Sequence, residues 1–71
     1  MAWRRYTEQE RNQIAEEYDE DAAGSRRIAD HLASKGHHDA AGIHWSNAQV
    51  SKEVAAAARE SCDALNEILN G

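Results

Sequence analysis

A chain of 71 residues with a formal net charge of −5, 41% hydrophobic residues and no proline or phenylalanine makes one small domain, residues 1–71, that buries only about 60% of its unfolded surface. Its single cysteine, Cys62, excludes an internal disulfide and a multi-cysteine zinc site. No apolar run approaches the roughly 20 residues of a membrane span, and MAWRRYTEQE lacks the apolar stretch of a signal peptide, so a cytoplasmic protein with no membrane partner is expected.

The abundance of alanine and acidic residues favours an all-α fold. Thr7 followed by Glu10 is a capping-box pattern, which predicts a first helix over about 8–19 with Ile14, Ala15 and Tyr18 on its apolar stripe. The charge and glycine of DEDAAG, Asp19 to Gly24, predict its end. Ser25 is placed to cap a second helix over about 26–34, with Ile28, Ala29 and Leu32 inward, and Gly36 is placed to stop it. HHDAAGIHW then reads as an irregular connector.

In HWSNAQVSKEV, Ser46 and Gln49 form a second capping-box pattern, and Trp45 and Val50 occupy staple positions, so Trp45 is expected in the core. From Asn47 to Asn70 there is no glycine, and Val50, Val54, Ala57, Ser61, Leu65 and Ile68 recur at intervals of three and four. This predicts one long helix over about 47–69. Its last turns project past a three-helix core and offer Cys62, Leu65, Ile68 and Leu69 to a partner, which makes the chain a homodimer. The expected fold is thus all-α, a three-helix helix-turn-helix domain with a long C-terminal helix.

Charge is unevenly spread. Residues 1–21 sum to −4 and residues 53–71 to −3, whereas 22–52 sum to +2 and hold all four histidines. Local potential steers a ligand more than the total does.

SRRIADHLASKG followed by GIHWSNAQVSKEV resembles the helix-turn-helix region of serine recombinases and related resolvase-like domains, over Ser25 to Val54. YTEQERNQIAEEY is similar to the first helix of Myb-like and homeodomain-like three-helix domains. The resemblance implies binding to double-stranded DNA and, with no recombinase catalytic domain in the chain, no strand cleavage.

On that reading the third helix enters the major groove with Asn47, Ala48, Ser51, Lys52 and Ala55 forward and Arg59 one turn on. Arg26 and Arg27 contact phosphate, and Arg4 and Arg5 form an arm for the minor groove. His37, His38, Asp39 and His44 lack the ligand spacing of a structural zinc site, so no cofactor or metal is expected. No glycine-rich phosphate loop or nucleophile motif points to an enzyme. The expected function is a sequence-specific DNA-binding regulator or recombination accessory factor, of the sort phages and mobile elements carry. The alternative is an acidic protein–protein interaction module, such as a phage-type inhibitor or adaptor.

Overall fold

The computed structural model describes residues 3–70, which form three α-helices and no strand. α1 spans Glu8–Ser34, α2 His38–Glu60 and α3 Cys62–Asn70. The first two form an antiparallel hairpin, and the short third helix folds back onto the end that holds the N-terminus.

α1 begins where the capping box places it. The Glu10 N–H donates to Thr7 Oγ1 at 3.1 Å, and the Thr7 N–H donates to Glu10 Oε1 at 2.9 Å. These bonds hold the Glu10 carboxyl below the ordinary carboxylate range, with the nearby Arg4 adding to the effect. α1 ends at the glycine that the sequence marks. Gly36 has φ 85°, its N–H donates to Ala33 O at 3.0 Å, and the His37 N–H donates to Leu32 O at 2.9 Å. This pair of bonds is a Schellman motif, and the left-handed position favours glycine.

The expected break between residues 19 and 26 is absent: one helix of 27 residues runs through it. Gly24 costs a helix interior about 1 kcal/mol relative to alanine, but Ala22 and Ala29 on either side are buried, and tertiary packing overrides the local preference. Ser25 therefore lies inside α1 and caps nothing. The stretch expected as a connector, residues 37–45, is also helical, because α2 begins at His38, and Ser46, expected as a cap, sits exposed within α2. Trp45, expected in the core, is 45% exposed.

The hairpin closes on alanine. Ala15, Ala22 and Ala29 of α1 and Ala41, Ala48 and Ala55 of α2 are all buried, each set spaced by seven residues. A seven-residue period keeps one stripe facing its neighbour, and methyl side chains allow the axes to approach the short end of the usual 8–10 Å or so. Ala15, Val54, Ala55, Ala58 and Leu65 form the core cluster, with Tyr6, Ile14 and Tyr18 packed against it.

The long C-terminal helix is broken. Ser61 is extended, with φ −169° and ψ 164°, and its Oγ accepts from the Ala64 N–H at 2.9 Å, capping α3. The Arg11 side chain donates to Ala58 O at 3.0 Å, covering a carbonyl that the end of α2 leaves open. α3 then lies across the core and clamps the N-terminal segment. The Arg4 N–H donates to Asn66 Oδ1 at 2.8 Å, and Asn66 Nδ2 donates to Arg4 O at 2.6 Å and to Cys62 O at 2.9 Å.

Candidate functional site

The alanine seam divides the hairpin into two faces. A helix turns about 100° per residue, so positions on either side of the seam project to opposite faces.

One face carries Arg26 and Lys52, which line a shallow notch of about 320 Å³ with Trp45, Ala48 and Gln49. The Trp45 indole N–H donates to Asp30 Oδ1 at 3.4 Å, and about two turns beyond Lys52 the Arg59 guanidinium donates to Asp19 Oδ2 at 2.6 Å. The bond from Asp19 raises the Arg59 pKa further, and Glu16 adds to the effect. Carboxylates of α1 thus stand among the cations of this face. Of the residues expected to contact DNA, Arg26 and Lys52 are brought together, while Arg59 is engaged by Asp19. Arg27 is exposed but does not line the notch, and Asn47 and Ser51 lie across the seam from Gln49 and Lys52.

Arg4 does not form an arm. Asn66 holds both its backbone groups, its side chain reaches Glu10 Oε2 at 3.4 Å, and its guanidinium lies 5.0 Å from the Tyr6 ring centroid. Arg5, in the same pinned segment, is exposed. Among the described residues no three histidine, cysteine or carboxylate side chains gather as a metal site, so His37, His38, Asp39 and His44 do not converge.

The residues expected to bind a partner from the C-terminal helix divide in two. Leu65 is fully buried within its own chain and belongs to the core, not to an exposed face as expected. Cys62 faces inward as well: the Tyr6 N–H donates to its Sγ at 3.3 Å, and its thiol donates to Arg4 O at 3.2 Å. The cause is the break at Ser61, which turns α3 back instead of letting it project. Ile68 and Leu69 remain 39% and 38% exposed.

The opposite face is the apolar one, and α3 covers only part of it. Ile14, Tyr18 and Val54 pack with Leu65. Ile28 and Leu32 follow Ile14 and Tyr18 by fourteen residues, about four turns, and so lie on the same side of α1. Val50, Asn47 and Ile43 precede Val54 by four, seven and eleven residues and continue its stripe along α2. Beyond the reach of α3 this surface is bare: Ile28 is 48% exposed, Val50 58% and Ile43 64%. A helix that starts only at Asn47 hides this stripe, since it leaves Ile43 in a connector and Val50 in a staple. The seven-residue spacing of Ile43 and Val50 is the signal that marks it.

No helix among the described residues is long and apolar enough to cross a membrane. Comparison with models of protein families, with curated proteins and with solved structures finds no match for this chain.

Proposed function

We propose that this chain is a helical-hairpin interaction module, which offers the uncovered apolar face of α1 and α2 to a protein surface. The observation that carries the reading is the stripe of Val54, Val50 and Ile43, interrupted by Asn47, covered by Leu65 at one end and bare at the other. Large apolar side chains repeated on one side of a helix are the pattern of a binding surface when nothing within the chain covers them. The charge supports a protein partner, because carboxylates lie among the cations of the other face and the chain as a whole is acidic.

A photo-crosslinking side chain placed at position 43, and separately at position 56 across the seam, tests this in cells that make the protein. Adducts to protein from position 43 and few from position 56 are expected. Equal yields from both would overturn the reading.

One observation favours a second reading, DNA binding by a resolvase-like domain: Arg26 and Lys52 converge on one notch beside Trp45. Two neighbouring cations suit phosphate contacts, and such contacts make affinity fall steeply with salt. Fluorescence anisotropy with mixed-sequence duplexes decides it. DNA binding requires measurable affinity at low salt and a loss of about one unit of salt slope in Lys52→Ala. Absence of binding by the wild type at low salt leaves the protein-binding module alone.

A further inference from the structure

We infer that the occupant of the bare face is a second copy of this chain, laid antiparallel along the hairpin; this rests on the interaction-module reading and specifies its partner. Area is the first argument. The chain exposes 5059 Å², whereas a compact monomer of 7.9 kDa exposes about 4,400 Å². The excess of about 650 Å² is close to the roughly 800 Å² that each partner buries in a standard interface. The shape agrees, with a radius of gyration of 14.1 Å and a long axis of 44 Å, against about 11 Å for the radius of a compact chain of this length.

The layering is the second argument. A helix pair with an apolar face is stable when a second layer covers it. α3, with nine residues, supplies about 13 Å of that layer, and only at the end that holds Ile14 and Val54. The loop end has α1 and α2 alone, so one more hairpin completes a four-helix bundle there.

Charge sets the orientation. The half of the molecule made of residues 3–21 and 49–70 holds eleven acidic residues against five arginines and lysines, a balance of −6. The loop half, residues 22–48, holds Arg26, Arg27 and Lys35 against Asp30 and Asp39, a balance of +1, and all four histidines. A parallel overlay stacks the two −6 halves on each other. An antiparallel two-fold overlay of the loop halves lays each bare patch on the partner's copy of it and points the two acidic halves to opposite ends, away from each other.

Sedimentation equilibrium of the full chain tests the inference. At about 100 μM, well above a micromolar Kd, the wild type is expected at twice the chain mass. Ile43→Glu is expected at the single mass with its helical circular dichroism retained, and Gln49→Glu, on the other face, at twice the mass. Ile68→Asp on α3 is also expected to stay dimeric. A wild type that sediments at the single mass overturns the second copy, and position-43 adducts to another protein would then keep the module. A dimer that survives Ile43→Glu but is lost in Ile68→Asp moves the interface to α3 and overturns the inference. Should Ile43→Glu lose its helices, Val50→Glu takes its place with the same expected loss of dimer.

Discussion

Asn66 is buried to 1% exposure, and its amide meets both the N–H and the C=O of Arg4 as a neighbouring strand would. Because buried polar groups left without partners cost about 1–3 kcal/mol each, Asn66→Ala should lower stability by about 2 kcal/mol in urea unfolding, with the N-terminal segment released from α3. The two capping-box patterns are separable in the same way. Thr7→Ala should cost about 1 kcal/mol, since Thr7 caps α1. Ser46→Ala, exposed inside α2, should stay within about 0.5 kcal/mol. If Ser46→Ala proves the costlier of the two, α2 begins at residue 47 and the hairpin is wrong. Glu10 adds a pH dependence of known sign. Its pKa is lowered in the folded state by the bonds with Thr7, so its stabilising effect is present at neutral pH and is lost as pH falls through that lowered value. The urea midpoints of wild type and Glu10→Gln should therefore differ at pH 7 and converge as pH falls below it.

The helices depend on small residues in one place and tolerate larger ones in another. At Gly24 no atom lies within 4 Å of an added Cβ, so Gly24→Ala should stabilise α1 by about 1 kcal/mol. Ala55, 1% exposed in the core cluster, lies on the seam between the helices, and Ala55→Leu should cost about 1–3 kcal/mol by forcing them apart. A thermal melt of both variants checks the pair, with the opposite ranking excluding an alanine seam. The start of α1 at Thr7 and its end at Gly36 were legible because caps are local: a hydroxyl, a carboxylate and a glycine at fixed offsets suffice. The middle of α1 was not, because Gly24 and the acids before it argue locally for a stop, whereas the alanine at every seventh position that overrides them pays off only once α2 is alongside. The break at Ser61 was hidden by the opposite effect. Ser61 keeps the three-and-four spacing of the apolar stripe, so periodicity carried the helix through a residue whose hydroxyl instead caps α3. The candidate site depends on both effects, since an unbroken C-terminal helix points Leu65 outward and a connector before Asn47 leaves Ile43 in a loop.

In the whole molecule, residues that hold the fold and residues that bind should be different sets. Leu65 and Ala55 hold the fold; Ile43 and Val50, more than half exposed in the single chain, bind. Thermal unfolding of wild type and the Ile43→Glu, Val50→Glu double variant, followed by far-ultraviolet circular dichroism over a dilution series, separates the two. Dimerisation makes the wild-type midpoint rise with concentration. The variant's midpoint should not depend on concentration and should fall within a few degrees of the wild type at its dilute limit, as expected for exposed positions. A variant that unfolds far below that dilute limit would place Ile43 and Val50 in the core and contradict the alanine-seamed hairpin with its open apolar face.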